Sequence, residues 1–154
     1  EAHFTAGDGW HPITTDHGPV GVLICLESVY PDAARALVAA GAELLVVMSN
    51  DAGFGRSPIT RHMTQRAAIR ALETGRWLLR VGQAGITTLI DPRGQHHARL
   101  GLFEPGVVSG TAMRRADTTL FVAWGDWWAG SLMLILGWAM VTRRRNSGDE
   151  TAPR

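Results

Sequence analysis

The chain has 154 residues, which is enough for one domain of ordinary size, or for one domain with an appendage. Hydrophobic residues make up 45% and the formal net charge is +1, so the chain can bury a core and its charge gives no support for nucleic-acid binding. All 15 basic residues are arginine, and the single cysteine, Cys25, excludes an internal disulfide framework. The chain starts at Glu1 without a signal-peptide pattern, and we interpret it as the C-terminal piece of a longer protein.

The first half of the chain alternates apolar runs with a helical segment. Residues 1–18 have no clear period and are interpreted as a loop or an incomplete sheet edge. The runs VGVLICL (20–26) and ELLVVMSN (43–50) are typical of strands buried on both faces, and residues 31–41 between them, from a proline to a glycine, predict a helix. A strand, a helix and a strand within about 30 residues indicate a βαβ unit with a parallel strand pair.

The same pattern continues after a glycine-containing loop. Residues 59–76 predict a second helix, with Arg70 and Glu73 placed to pair at i and i+3. Further strands are predicted, with a turn at DPRG; the strand ranges are 77–82, 85–91 and 107–113, and the turn is 91–94. The fold class predicted for the domain is therefore α/β.

The composition changes near the C-terminus. Residues 127–141 carry no charge but are short for a transmembrane helix, whereas a span counted over 120–142 is long enough and is interrupted only by Asp126. Tryptophans at one end (124, 127 and 128) suit an interfacial belt, and Arg143–Arg145 suit an anchor at the other. A buried core helix is the alternative, but it does not explain why tryptophans lie at one end of the segment and three arginines at the other. The positive-inside rule predicts that the basic tail, 143–154, is cytoplasmic and that the α/β domain lies on the outer side.

Cys25 has two readings. A single cysteine in an apolar run is commonly an inert packed residue. However, the predicted position is the C-terminal end of a parallel strand before a helix, which is the edge where α/β sheets bind ligands. There the helix terminus favours a thiolate, and the N–H of Leu26 can face a developing oxyanion. Glu27 lies two residues on, and Ser49-Asn50-Asp51 ends the next strand, either as part of a site or as an ordinary turn or cap.

Other polar residues give weaker signals. The histidines do not have the spacing of a zinc site, and we interpret them as surface or loop residues. Four arginines, at positions 66, 70, 76 and 80, are interpreted as helix-surface or strand-end charges, with contact to a phospholipid headgroup as the alternative. No phosphate-loop spacing is present, and no metal or cofactor is predicted.

Three motifs in order resemble the carbon-nitrogen hydrolase, or nitrilase, superfamily. They are GVLICLE, SNDAGFG and RAAIRALETGRWLLRVGQAGITTLIDPRG, and the resemblance covers roughly residues 4–114. Within the superfamily the chain is most similar to the apolipoprotein N-acyltransferases, because GDWWAGSLMLILGWAMVTRRR also resembles the terminal helix of that family. The resemblance implies part of an αββα sandwich (residues 1–118), followed by one transmembrane helix (120–142) and a basic tail.

The resemblance also implies a mechanism and site residues. Cys25 matches the nucleophile that takes an acyl chain from a phospholipid as a thioester, before the amine of diacylglyceryl-cysteine in a lipoprotein accepts it. Glu27 matches a second active-site glutamate, Asn50 and Phe54 match the loop that lines the site, and Leu26 stands where the family often has tyrosine. The implied location is the bacterial inner membrane, with the catalytic domain on the periplasmic side.

Several departures from the family pattern bear on activity. The chain has no lysine, and Glu1 is too close to Cys25 to match the general base, so the family's lysine and base are expected in a missing N-terminal half. An inactive paralogue of the family is the alternative explanation. Gly53 stands where the family usually has tryptophan. Residues 1–154 alone are therefore expected to be inactive. A nitrilase-type amidase or carbamoylase and a non-catalytic, membrane-anchored lipid-binding domain are the alternative functions.

Overall fold

A computed structural model describes residue 5 and residues 7–148. The described residues divide into two compact units, one up to residue 123 and one from residue 124. The start of the predicted 1–118 domain, at residues 1–4 and 6, and the end of the predicted tail, at residues 149–154, lie outside the described residues.

The first unit contains a six-stranded sheet whose strands follow chain order. The three central strands are parallel to one another, and the outer strands pair antiparallel, which confirms the α/β class and the parallel pair. The strands are β1 (Ile13–Thr15), β2 (Gly18–Ile24), β3 (Leu44–Asn50), β4 (Leu78–Gln83), β5 (Thr87–Ile90) and β6 (His96–Leu100). Because β2, β3 and β4 are parallel, their carboxyl ends lie at one edge of the sheet.

Two helices connect the parallel strands. Helix α1 (Pro31–Ala39) has its proline in the first turn, where the missing N–H costs nothing. Helix α2 (Ile59–Thr74) ends at Gly75, which has a φ of +65° and donates its N–H to the carbonyl of Ala71. Both predicted helices are confirmed. They could be predicted because residues at their ends, a proline and a glycine, signal where a helix starts and stops.

The core lies between these helices and one face of the sheet. Leu23, Leu45 and Leu78 from the parallel strands are fully buried with Leu37 of α1. Gly21 permits this close packing, since a Cβ there would lie 2.8 Å from Leu45 Cδ2 and 3.1 Å from Leu37 Cβ. The absence of a side chain at Gly21 thus sets how closely α1 approaches β2.

The opposite face of the sheet is only partly covered by the described residues. Near the carboxyl ends of the parallel strands, Ile24, Met48 and Val81 are 63%, 53% and 41% exposed. The prediction that these strands are buried on both faces is therefore wrong within this structure. Apolar side chains point to both sides of the sheet, but α1 and α2 cover only one side.

The last strand of the sheet differs from the prediction. The turn at DPRG is confirmed, with Gly94 donating its N–H to the Asp91 carbonyl at 2.9 Å. This tight turn brings β6 (His96–Leu100) back against β5 as a hairpin. The predicted strand over 107–113 has no regular structure, because β6 already occupies the edge of β5.

The predicted helix over 120–142 is divided into two. Helix α3 (Leu120–Trp124) and helix α4 (Trp127–Gly148) are interrupted at Gly125, which has a φ of +63°. The part of the tail from Arg143 to Gly148 continues α4. Among the described residues, no helix has both the length and the hydropathy required to cross a membrane.

Candidate active site

Cys25 lies at the carboxyl edge of the parallel strands, directly after β2. It is the first residue of a five-residue 3-10 helix, Cys25–Val29, and it is partly buried. Its φ is +51°, in the left-handed region that residues other than glycine rarely adopt. The predicted strand over 20–26 thus extends two residues too far, because this backbone turn ends the ladder at Ile24. Such conformations cost about 1–3 kcal/mol and cluster at functional sites.

Two side chains hold the turn that carries Cys25. The N–H of Ile24 donates to Glu27 Oε2 at 2.7 Å, and Ser28 Oγ donates to the carbonyl of Cys25 at 2.8 Å. The structure therefore places Glu27 beside Cys25, with one carboxylate oxygen bonded to the backbone of the turn. Its predicted catalytic role stays a prediction, while its contribution to the shape of the turn is evident from this hydrogen bond.

The polar end of β3 meets Cys25 across the parallel pair. Ser49 Oγ lies 3.7 Å from Cys25 Sγ and makes a short hydrogen bond to Asp51 Oδ1. Both Ser49 and Asp51 are buried. The sequence left open whether Ser49-Asn50-Asp51 was only a turn or cap. The structure brings its first residue to the sulfur, because parallel strands deliver their carboxyl ends to one edge.

Asp51 pairs with Arg80, a residue whose part in the site was missed from the sequence. Arg80 Nη2 donates to Asp51 Oδ2, and Arg80 Nε donates to Thr64 Oγ1 of α2 at 3.2 Å. The available signal was the alternation of side chains along a strand, in which every second residue points to the same face of the sheet. Arg80 follows Leu78 by two residues in β4 and therefore faces the helices, where a buried arginine requires an acidic partner.

The interpretation of the arginines as surface charges is wrong for three of the four. Arg70, Arg76 and Arg80 are buried, and Arg66 is exposed as predicted. Arg70 pairs with Glu73 at 3.0 Å, which confirms the expected i,i+3 contact. The guanidinium of Arg76 donates to backbone carbonyls from three segments of the chain. These arginines act as internal donors because a buried guanidinium needs hydrogen-bond partners to offset the loss of its hydration.

An open depression of about 440 Å³ lies over Cys25 on the exposed face of the sheet. Aliphatic side chains from three adjacent strands form much of its wall, and polar groups of the strand ends meet in it. The lining residues are Ile24, Cys25, Met48, Ser49, Asn50, Val81 and Gln83. Its chemistry suits an apolar group that carries a polar reacting centre at the sulfur.

The other predicted binding residues are distributed unevenly around this depression. Asn50 lines it, and Asn50 Oδ1 accepts the N–H of Ala52 at 3.1 Å. Leu26 is exposed on the 3-10 helix after Cys25, and Phe54 is partly buried in a second 3-10 helix, Ala52–Phe54. Neither is among the lining residues. Substrate contact by Leu26, Asn50 and Phe54 stays a prediction.

The histidines after the DPRG turn have partners within the β5–β6 hairpin. His96 Nδ1 lies 3.1 Å from Thr88 Oγ1, and His97 Nε2 lies 2.8 Å from Asp91 Oδ2. Burial lowers the pKa of His96, and the charge of Arg99 lowers it further. Within the described part of the chain, no three His, Cys, Asp or Glu side chains are grouped as a metal ion would require.

Curated relatives of the chain are acyltransferases. The apolipoprotein N-acyltransferase of Azotobacter vinelandii is 40% identical over 143 residues, which are 92% of this chain and 28% of the relative. The apolipoprotein N-acyltransferase of Geobacter metallireducens is 34% identical over 138 residues, which are 90% of this chain and 25% of the relative. The chain thus spans about a quarter of the length of each of these proteins.

Solved structures share the fold at lower identity. A carbon-nitrogen hydrolase from Helicobacter pylori G27 is 23% identical with a TM-score of 0.58, over 66% of this chain and 43% of that one. An amidase from Nesterenkonia is 24% identical with a TM-score of 0.55, over 74% and 44%. Residues 1–119 match the carbon-nitrogen hydrolase family directly. With more than half of its length matched in this way, the chain belongs to the carbon-nitrogen hydrolase family.

Proposed function

We propose that the chain is part of an N-acyltransferase that moves a fatty acyl chain from a phospholipid to the N-terminal amine of diacylglyceryl-cysteine in lipoproteins. One observation carries this proposal: the only thiol of the chain lies at the carboxyl end of a parallel strand, in a left-handed backbone, beside a depression with aliphatic walls. The relatives named apolipoprotein N-acyltransferase, which align over 90% or more of the chain, support the choice of reaction.

The proposed chemistry has two steps through Cys25. The thiolate attacks the ester carbonyl of the phospholipid, an S–C bond forms, the ester C–O bond breaks, and the departing alkoxide takes a proton to leave as lysophospholipid. The lipoprotein amine then attacks the thioester, so that an amide forms and the thiol is regenerated. Splitting acyl transfer in this way replaces one difficult step by two easier ones. The N–H of Leu26 is the proposed donor to the oxyanion.

The remaining predicted roles follow from the same proposal. Glu27 is the second active-site carboxylate, and Asn50 and Phe54 border the substrate. The chain has no lysine, so the lysine and the general base of this chemistry are proposed to come from outside residues 1–154. The partly exposed sheet face supports the idea that residues 1–118 form part of an αββα sandwich, in which a second sheet would pack on this face and leave the depression over Cys25 open to the substrate.

We also propose that residues 120–142 anchor the protein in the bacterial inner membrane. The uncharged run 127–141 and the arginines that follow it support a periplasmic domain and a cytoplasmic tail over 143–154. Extraction of membranes with alkaline carbonate tests the anchor, and protease protection of spheroplasts tests the orientation. Release of the protein into the carbonate supernatant would contradict the anchor.

The function is tested by the intact mass of native protein extracted from membranes and incubated with phospholipid. We expect the intact mass to rise by one acyl group. Digestion of the protein should then locate this group on the peptide that contains Cys25. Addition of a diacylglyceryl-cysteine peptide should remove this gain and yield the N-acylated peptide. The matched control is Cys25→Ser, which should acquire no acyl group.

The alternative functions predict different outcomes of this experiment. Hydrolysis of small amides by a lipid-free preparation, without an acyl adduct from phospholipid, would favour an amidase or carbamoylase. Lipid binding that Cys25→Ser leaves unchanged, with no adduct on the unmodified protein, would favour a non-catalytic lipid-binding domain. Either result would contradict the acyltransferase proposal.

A further inference from the structure

Three buried side chains form a chain of contacts behind Cys25. Ser49 Oγ lies 3.7 Å from Cys25 Sγ, Ser49 bonds to Asp51 Oδ1, and Asp51 Oδ2 accepts from Arg80. Buried ion pairs are expensive to desolvate, and apolar residues of similar volume often replace them without loss of stability. The position of this pair, one hydroxyl away from the thiol, suggests a task beyond stability.

The hydrogen-bond donor and acceptor groups of the Ser49 hydroxyl indicate this further role. A serine hydroxyl carries one proton and two lone pairs. Ser49 is much closer to the carboxylate of Asp51 than to the sulfur, so its proton is donated to Asp51. The lone pairs of Ser49 Oγ are then the groups available to Cys25, and the thiol S–H is the donor in this contact.

Neighbouring residues keep Asp51 in place for this arrangement. Gly85 packs directly on its carboxylate, because a Cβ at Gly85 would lie 2.0 Å from Asp51 Oδ2. On the other side, Arg80 is held by Thr64, whose own hydroxyl donates to the carbonyl of Thr60 at 2.8 Å. The orientation of the Ser49 hydroxyl is therefore set by two strands and α2 together.

We propose that Ser49, oriented by Asp51 and Arg80, is a positioning residue. Its hydroxyl oxygen accepts a hydrogen bond from the Cys25 thiol and holds the sulfur in one orientation before reaction. The inference rests on the proposed function in that Cys25 is the nucleophile. Ser49 stabilises the protonated thiol, so the base has to remove a proton that is already hydrogen-bonded. Premature reaction of the sulfur is reduced, and its direction of attack is defined.

Alkylation of Cys25 by iodoacetamide, followed against pH, tests this arrangement without an acyl donor. The 154 residues contain one thiol, and quantifying the alkylated peptide that contains Cys25 restricts the rate to this site. In Ser49→Ala we expect the profile to move to lower pH and the rate on its acid side to rise about threefold to tenfold, as loss of one hydrogen bond to the neutral form implies. Ser49→Thr keeps the hydroxyl and should retain the original profile.

Ser28→Ala is the matched control, because Ser28 bonds to the carbonyl of Cys25 and not to its sulfur. Its profile should be that of the unmodified chain. Three charged residues near the turn have partners of their own, since Asp51 and Arg80 pair with each other and Glu27 accepts the N–H of Ile24. An unchanged profile in Ser49→Ala, a shift to higher pH, or an equal shift in Ser28→Ala would overturn the proposal.

A second measurement leaves Ser49 unchanged and remains decisive if Ser49→Ala does not fold. The S–H stretching band of Cys25, identified by its loss in Cys25→Ser, should lie at the lower frequency of a hydrogen-bonded donor. A band at the frequency of an unbonded thiol would overturn the inference. Neither readout involves acyl transfer, so failure of the proposed function and failure of this inference are distinguishable.

Discussion

Asp51 and Arg80 form an ion pair in which both side chains are 0% exposed, between the end of β3 and the middle of β4. Asp51 follows the last residue of its strand, and Arg80 faces the helices that cover the sheet. The pair connects the sheet to α2 through Thr64 and connects both to Cys25 through Ser49. It therefore links the stability of the domain to the geometry of the candidate site.

Removal of one partner of this pair should be strongly destabilising. Arg80→Met leaves Asp51 buried without its counter-charge, and we expect the free energy of unfolding to fall by about 3–5 kcal/mol. Urea denaturation followed by circular dichroism measures the change. Arg66→Met is the control, because Arg66 is exposed on α2 and should change stability by less than about 0.5 kcal/mol. Equal effects of the two substitutions would contradict the buried pairing.

Gly85 should tolerate no side chain. In Gly85→Ala the new methyl group meets Asp51 Oδ2 at 2.0 Å and Asp51 Cγ at 2.6 Å, so the carboxylate has to move away from its partners. We expect a loss of about 1–3 kcal/mol, as for overpacked positions, measured as a lower urea midpoint. Gly53→Ala is the control, since a Cβ there meets nothing within 4 Å. A neutral Gly85→Ala would show that this close packing is wrong.

The left-handed backbone at Cys25 predicts an inverted preference between glycine and alanine. At a φ of +51°, Cys25→Gly should be more stable than Cys25→Ala by about 1 kcal/mol, because only glycine adopts this region without steric cost. In the middle of α2 alanine should be the more stable of the two residues, so Ala68→Gly should lower the free energy of unfolding by about 1 kcal/mol. Thermal unfolding of the three variants compares them. Greater stability of Cys25→Ala would argue against the left-handed turn.

Asp91 predicts a loss of stability in acid. Burial of Asp91 opposes its ionisation, but hydrogen bonds from His97 and from the N–H groups of Gln95 and Arg93 outweigh it, so its pKa lies below the usual value. A carboxyl group with a lowered pKa contributes stability above its unfolded value, about 3.9, and loses it as pH falls through the folded value. His97→Gln should raise the folded pKa and move this loss to higher pH.

The effect of His97→Gln on stability should be below about 1 kcal/mol, since the His97 side chain is 48% exposed and solvent screens the pair. Urea midpoints between about pH 3 and pH 6 provide the measurement. His62→Gln, at an exposed position on α2, is the control and should leave the pH dependence unchanged. Identical profiles for the two variants would mean that His97 does not support Asp91.

Local signals in the sequence were sufficient for the helices and for most of the sheet. Pro31 and Gly75 mark the start of α1 and the end of α2 because their backbone preferences act within a few residues. The hairpin partner of β5 was not predicted, since β6 has mixed polarity and the run over 107–113 looks more strand-like. Strand pairing depends on which segment reaches a free edge, and this is a non-local property.

The sequence by itself determined the α/β class, the parallel strand pair, the order of the family motifs and the presence of one thiol after an apolar strand. Only the tertiary structure decided that Cys25 has a left-handed backbone, that Ser49 reaches its sulfur, and that Arg80 is a buried partner of Asp51. The first set depends on residue types at short spacing. In the second set, the Ser49–Cys25 and Asp51–Arg80 contacts join residues 24 and 29 positions apart, and their geometry exists only after the strands and helices have packed. The left-handed backbone at Cys25 belongs to a turn that local hydrogen bonds hold, but no glycine in this turn indicates a positive φ from the sequence.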